Sequence, residues 1–215
     1  MMCYRSSSRS FICLISSPYT IFSHSGFSTP QWCSTSFFQN WHAYKEGFGD
    51  LNDDFWLGNE KLYYLTHQTG YTLRFDVVTS GGYQKYASYT EFQIESEGNK
   101  YRLNKLGTHA GTTGTRIGNN RGKAFSTHDR DNDECDNFNC AEGHRGGWWH
   151  SNHWCSYCNN YCDQFPYSGS CYTVCTAKPN GDYNGGRGEN IFSDHNAYCN
   201  LRFTEMKIRP SSLAK

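Results

Sequence analysis

Residues 126–150 read STHDRDNDECDNFNCAEGHRGGWWH, and this stretch decides the interpretation of the whole chain. It places carboxylates at alternate positions, Asp129, Asp131 and Asp133, and adds two cysteines and a pair of tryptophans. Too few aliphatic side chains are present for a helix or a strand to bury one face here. A bound cation and a disulfide are therefore the expected sources of order in this segment.

The carboxylates can be tested against known metal loops. Acidic side chains this close raise one another's pKa unless a cation neutralises them, and oxygen donors at this density suit calcium. An EF-hand is excluded, because positions 6 and 12 counted from Asp129 are Glu134 and Cys140. A solvated acidic turn remains the alternative. Neither a GxSxG nor an HExxH pattern occurs, and the protein is not expected to be an enzyme.

Length, charge and hydropathy limit the number of domains and the kinds of partner. The 215 residues suit one domain or two small ones, and 20 basic against 20 acidic residues leave no net charge. That balance predicts no basic face for a nucleic acid. No apolar run reaches the roughly 18 residues of a membrane span.

Cysteine usage points to an oxidising compartment. The sequence has 11 cysteines, and they are densest between residues 135 and 175, as in a disulfide framework. The alternative is a zinc cluster, whose ligands would be Cys155, Cys158, Cys162, Cys171 and Cys175. The odd count leaves at least one cysteine outside any internal disulfide.

Local patterning predicts short helices followed by a meander. One helix begins at Trp41 with Asn40 as its cap, and a second runs over 60–67 with Asn59 as its cap. Alternation of apolar and polar residues predicts antiparallel strands at 71–78, 89–97, 101–106 and 203–209. The long region between the last two strands has little periodicity, which is typical of a functional or disulfide-stapled loop.

Eight blocks in a fixed order identify a family resemblance. They are WHAYKEGFG (41–49), FWLGNE (55–60), LRF (73–75), FSTHDRDND (125–133), NCAE (139–142), GGWW (146–149), NGDY (180–183) and MKIRP (206–210). The sequence resembles the fibrinogen-related domains, the C-terminal globular domains of fibrinogen chains, ficolins, tachylectins, angiopoietins and tenascins. The resemblance implies an α+β fold, with a twisted antiparallel sheet, short helices and a long loop-rich C-terminal subdomain stabilised by calcium.

The resemblance also predicts how the sequence is divided. Residues 36–210 correspond to the fibrinogen-like domain without its usual N-terminal subdomain, and residues 211–215 form a tail. The Ser-rich residues 1–35 are interpreted as a poorly ordered leader, from either a truncated copy or an incorrect gene start.

The family's calcium site maps onto the stretch around Asp129, Asp131 and Asp133, called the acidic loop below. The resemblance assigns the side chains of Asp131 and Asp133 and the backbone carbonyls of Cys135 and Asn137 as ligands, with Asp129 close by but not a ligand. It pairs Cys140 with Cys175. Cys155 is the alternative partner, because an insertion at 154–174 separates the two candidates.

In lectin-like members, an acetyl group binds beside this loop, next to a cis peptide bond that here would join Asn139 to Cys140. The resemblance therefore predicts a ligand pocket at Asn139, Cys140, His144 and Trp149. Judged from the residues alone, Trp149 fits a core position better than a sugar platform, and His144 fits a surface position.

These expectations describe a secreted, calcium-dependent lectin domain that binds acetylated carbohydrates, with a role in innate immunity and a capacity for homo-oligomers. The alternative is a module that binds an extracellular protein in matrix, adhesion or growth-factor-like signalling, without a sugar pocket. A third interpretation is a fragment that folds poorly.

Overall fold

The structure is a computed structural model that describes residues 19–25, 35–79, 82–113, 116–135, 138–151, 191–194 and 197–211. Its strands are β1 (Tyr19–Ser25), β2 (Phe48–Gly49), β3 (Phe55–Trp56), β4 (Tyr71–Thr79), β5 (Gln84–Tyr89), β6 (Phe92–Ile94), β7 (Leu103–Leu106), β8 (His109–Gly111), β9 (Ile191–Asp194) and β10 (Ala197–Pro210). The helices are α1 (Trp41–Glu46), α2 (Asn59–Gln68) and α3 (Cys140–Gly143), with 3₁₀ turns at Glu97–Asn99 and Arg116–Asn120. Within these described ranges, no helix has the length and apolar character needed to cross a membrane.

One antiparallel sheet organises the fold. Its strand order is β2–β3–β1–β10–β4–β5–β8, and β9 also pairs with β10. Strand β10 lies at the centre, with Ile208 opposite both Tyr19 of β1 and Leu73 of β4. Strands β6 and β7 form a separate two-stranded sheet. The α+β architecture expected from the sequence is confirmed.

Alternation along β4 separates a buried face from a polar one, as the period of two predicts. The buried face carries Tyr71, Leu73, Phe75 and Val77, and the opposite face carries Thr72, Arg74 and Asp76. On β10, Met206 and Ile208 continue the buried face. The sheet therefore has one side against the core and one side that remains polar.

Aromatic side chains dominate the core between the sheet and the acidic loop. Its largest fully buried members are Trp56, Trp148, Trp149, Tyr44, Tyr101, Phe75 and Phe125. The rings contact one another mostly edge-on or tilted, which is the preferred geometry of aromatic pairs. This cluster fixes the position of residues 125–149, because both ends of that segment contribute rings to it.

One of the two predicted helix caps is confirmed and the other is wrong. The amide oxygen of Asn40 accepts the N–H of Ala43 at 2.9 Å, which confirms Asn40 as the cap of α1. The prediction of Asn59 as a cap is wrong, since Gly58 precedes the first turn of α2. Asn59 is buried, and its amide oxygen accepts the indole N–H of Trp56 at 3.1 Å instead.

Two strand predictions are also corrected. Residues 19–25 were expected in an irregular leader, yet they form β1, which pairs with β10 and β3. Residues 19–22 favour a strand by type, but the Ser-rich surroundings and the lack of alternation concealed it. The strand expected at 89–97 is interrupted after Tyr89. There the backbone leaves β5, which pairs with β4, and enters β6, which pairs with β7.

Gly47 joins α1 to β2, and its replacement by alanine is expected to destabilise the domain. Its φ is +94°, and an added Cβ would overlap the carbonyl oxygen of Leu57. The left-handed backbone and the overlap together should lower the free energy of unfolding by about 2 kcal/mol or more. Gly118→Ala is the control, since a Cβ at Gly118 meets nothing within 4 Å. Equal urea midpoints for the two variants would contradict this explanation.

Candidate functional site

The acidic loop and helix α3 lie in one segment that begins and ends at paired backbone positions. Ser126 and Trp148 exchange N–H···O bonds of 3.0 and 3.1 Å, which close the segment between them. Inside it, the side-chain amide of Asn132 donates to the Phe125 carbonyl at 2.9 Å, and its backbone N–H donates to the Ser126 hydroxyl at 3.1 Å. The loop is thus held at Asn132, between the two aspartates predicted to bind calcium.

Asp129 has a structural role. Its Oδ1 accepts the backbone N–H of Trp41 at 2.9 Å and the hydroxyl of Thr127 at 2.7 Å. Partial burial opposes ionisation, but these two donors outweigh it and lower the pKa of Asp129. The carboxylate therefore fastens the loop to the start of α1.

Asp133 ties the acidic loop to helix α3. Its Oδ1 accepts the backbone N–H of Cys135 at 2.8 Å, and its Oδ2 accepts that of Cys140 at 2.9 Å. Asp131 is more exposed, and its Oδ1 accepts the N–H of Asp133 at 3.1 Å. The two carboxylates thus lie side by side, one facing solvent and one partly buried.

Burial is the main reason that the pKa of Asp133 is raised to about 6. The charge of Asp131 adds to this rise, and the N–H donors of Cys135 and Cys140 oppose it. A cation beside both carboxylates would remove the repulsion and favour their ionised forms. Each oxygen has a further lone pair beyond its N–H bond. The donor set of this loop therefore fits a hard cation such as calcium.

Two cysteines approach the same carboxylate, but their sulfur atoms are not candidate metal ligands. One ligand atom each of Asp133, Cys135 and Cys140 lies within 4.8 Å of the others. Both cysteines are disulfide-bonded, and the thiolate is the form of cysteine that binds metals. The oxygens remain as the candidate ligands. Asn137, the insertion at 154–174 and the candidate disulfide partners Cys155 and Cys175 lie outside the described residues.

The side-chain amide of Asn139 is already hydrogen-bonded within the domain. Its amide oxygen accepts the N–H of Glu142 at 3.0 Å and caps α3, and its amide nitrogen donates to the carbonyls of Thr127 and His128. The expected cis bond before Cys140 is wrong, since the described residues include no cis peptide bond. The trans arrangement already lets Asn139 cap the helix and Cys140 donate to Asp133. It also avoids the roughly 3–4 kcal/mol of a non-proline cis bond.

The other predicted pocket residues are buried. Trp149 is 1% exposed, and its indole N–H donates to the Tyr101 carbonyl at 2.7 Å. Cys140 is 0% exposed. His144 was expected at the surface but is 1% exposed, with its ring stacked near that of His150. Trp149 is therefore a core residue, as its residue type favoured, and none of these three side chains forms an open ligand surface.

Surface side chains near the loop were not anticipated from the sequence. Phe38 stacks on His128 with ring centroids 4.4 Å apart, and the guanidinium of Arg145 lies 4.6 Å from the Phe38 centroid. Phe138 is 45% exposed and packs against Gly143. Sequence spacing gives no signal for these contacts, because Phe38 lies far from the loop in sequence.

Comparison with known proteins finds one matching family model and several similar proteins. The family described as fibrinogen beta and gamma chains, C-terminal globular domain, matches residues 27–211. Human angiopoietin-related protein 1 is 42% identical over 118 residues, which are 55% of this chain. Human tenascin-R is 33% identical over 176 residues, 82% of the chain. Techylectin-5A of Tachypleus tridentatus is 40% identical over 117 residues, 54% of the chain.

Solved structures show the same fold. The fibrinogen-like globe domain of human ANGPTL2 superposes with a TM-score of 0.70 at 28% identity, covering 89% of this chain and 79% of that one. A lamprey fibrin D-dimer complexed with the peptide Gly-His-Arg-Pro-amide gives 0.68 at 28% identity, covering 89% and 61%. The three curated relatives are much longer, and the matches span 24%, 11% and 39% of their lengths.

Proposed function

The protein belongs to the family formed by the C-terminal globular domains of the fibrinogen β and γ chains, and on that basis we propose that it is a secreted, calcium-dependent recognition domain for acetylated carbohydrates. The observation that carries the proposal is the pair of adjacent carboxylates, Asp131 and Asp133, in a loop fastened at both ends. The proposal assigns binding to the domain and no catalytic step.

Calcium would be held first by the carboxylates of Asp131 and Asp133. The backbone carbonyls of Cys135 and Asn137 are proposed as further ligands, in keeping with the family resemblance. An ion there would hold Asp133 ionised, and ionised Asp133 is the better acceptor for the N–H groups of Cys135 and Cys140. Calcium would thereby stabilise the start of α3, beside which the ligand is proposed to bind.

The described surface offers one apolar wall for an acetyl methyl group. Phe138 is exposed beside Gly143 and adjoins Asn139, at the start of α3. It replaces Trp149, His144 and Cys140 as the proposed ligand contact, because those three side chains are buried. The acetyl oxygen would need N–H donors from the same loop.

Two disulfide-bonded cysteines among the described residues support secretion. Cys135 and Cys140 are both disulfide-bonded, and disulfides persist mainly in oxidising compartments. The similarity to angiopoietin-related, tenascin and techylectin proteins is consistent with that location.

A protein ligand is the second candidate, and a specific observation favours it. The Phe38–His128–Arg145 stack is an aromatic and cationic surface next to the loop, and aromatic and arginine side chains are enriched at protein interfaces. Angiopoietin-related and tenascin relatives match at levels similar to techylectin-5A. If the ligand is a protein, calcium would order the loop, and the domain would bind no sugar.

Retention on N-acetylglucosamine resin tests the proposed ligand. We expect the domain to bind in calcium, to elute in chelator, and to bind again when calcium is restored. Resin carrying unacetylated glucosamine should retain little protein. Asp131→Ala should abolish retention, whereas Glu91→Ala, which removes an exposed carboxylate on the β5–β6 turn, should not.

The two ligand classes give different results in this assay. Absence of retention under every condition, in a protein that calcium still stabilises, would overturn the carbohydrate ligand and favour a protein ligand. Retention that is indifferent to calcium would contradict the role assigned to the acidic loop.

A further inference from the structure

A cleft of about 470 Å³ lies on the polar face of the main sheet, across β10, β4, β5 and β8. Strand register arranges its side chains in two rows that run across the strands. The first row is Arg209, Thr72, Thr90 and Thr108, and the second is Lys207, Arg74, Ser88 and Ala110. The sequence patterning and the proposed calcium site account for neither row.

Differences in side-chain size create the depression. Ser88 on β5, Thr90 just after it and Ala110 on β8 form a low floor. The long side chains of Arg74, Lys207 and Arg209 lie at the other end. Next to the second row, Arg74 lies 4.3 Å from the ring centroid of Tyr86. The cleft therefore results from the short and long side chains that face outward on adjacent strands of the sheet.

The cations at this end are not equivalent. Arg74 bonds Asp76 at 2.7 Å, and Lys207 lies 3.0 Å from Asp76 and 2.6 Å from Glu205. Partial burial works against ionisation of Asp76, but the bonds from Arg74 and Lys207 prevail and lower its pKa. Arg209 is exposed, and no carboxylate in the described ranges pairs with it. Its guanidinium is the charge available to a ligand.

The hydroxyls in the cleft retain hydrogen-bonding capacity of both kinds. Ser88 donates its proton to the Ala110 carbonyl at 2.9 Å, and its lone pairs can still accept. Thr72 is similarly engaged with the Arg209 carbonyl at 3.3 Å. Thr90 accepts the N–H of Thr108 at 2.9 Å and keeps a proton to donate. Such a mixed array complements a ligand whose own groups are hydroxyls.

We propose that this cleft binds an acidic saccharide, with its carboxylate paired to Arg209 and its hydroxyls along Thr72, Ser88 and Thr90. Described side chains that line the cleft include no aspartate or glutamate. Asp76 and Glu205 lie beyond the second row, on the side away from Arg209, and they are paired with Arg74 and Lys207. The volume falls within the usual range of about 300–1,000 Å³ for small-ligand sites. The site is separate from the acidic loop, and its binding does not depend on calcium.

Titration with digalacturonic acid, a diuronate without an acetyl group, tests the proposal by calorimetry in chelator. We expect saturable binding about tenfold tighter than for the neutral digalactose of the same linkage, since a charge-assisted pair contributes about this much. Arg209→Gln should weaken binding of the diuronate about tenfold. Arg121→Gln, which neutralises an exposed arginine on a turn outside the cleft, should leave it unchanged.

Two further variants separate this site from the acidic loop. Ala110→Leu should abolish diuronate binding by filling the floor of the cleft, while Asp131→Ala should not alter it. Thermal midpoints of all variants in chelator show whether each remains folded. The proposal is overturned by absence of diuronate binding to the folded wild type, by equal effects of Arg209→Gln and Arg121→Gln, or by binding that requires calcium.

Discussion

Replacing Trp149 by alanine is expected to lower the free energy of unfolding by roughly 3–5 kcal/mol, the usual range for deleting a buried tryptophan. Its ring centroid lies 5.0 Å from that of Trp148 and 5.1 Å from that of Phe125, and its indole N–H is bonded to Tyr101. The substitution would leave a cavity and an unsatisfied carbonyl. Since domains are stable by only about 5–15 kcal/mol, the loss is a large fraction of the total.

Urea unfolding in chelator measures this effect without a contribution from calcium. Tyr64→Ala is a suitable control, because Tyr64 is 60% exposed and its loss should change stability by no more than about 0.5 kcal/mol. A Trp149→Ala protein of normal stability that had lost sugar binding would instead identify Trp149 as a ligand platform, contrary to its burial.

Replacing Asp133 by alanine is expected to remove the stabilisation of the domain by calcium. At a calcium concentration about one hundred times the dissociation constant, that stabilisation is about 2.7 kcal/mol. The same substitution leaves the backbone N–H groups of Cys135 and Cys140 without their acceptor. Stability should therefore fall in chelator as well, although release of a partly buried carboxylate offsets some of that loss.

The other two aspartates of the loop provide matched controls. Asp131→Ala should lose the calcium response with little change in chelator, because Asp131 is exposed and the backbone N–H that its carboxylate accepts, that of Asp133, is local. Asp129→Ala should lower stability equally with and without calcium, because its bonds go to Trp41 and Thr127. Thermal midpoints in calcium and in chelator distinguish the three patterns. An equal loss in both conditions for Asp131→Ala would refute its role as a ligand.

The sequence predicted well the features that depend on local pattern or on family order. Alternation located β4 and the second half of β10, and the Asn40 cap followed from residue type and position. The family blocks identified the acidic loop.

Features that depend on long-range contacts could not be read from the sequence. β1 shows no clear alternation of apolar and polar residues, and it pairs with β10 and β3, which are distant in sequence. The burial of His144 depends on how the segment 125–149 closes around the aromatic core. Asn139 looked available for a ligand, but its amide is satisfied by Glu142, Thr127 and His128. Such partners are known only once the fold brings them together.

The central position of β10 has a consequence for biosynthesis. During translation β10 emerges after β1 and β4, yet it is the strand on which both of those pair. Until it arrives, the two strands expose unpaired backbone edges, which are sites of aggregation. Contacts spanning nearly the whole sequence also imply a high contact order and slow folding. Early pairing of β10 with both strands would therefore protect the nascent domain from aggregation through those edges.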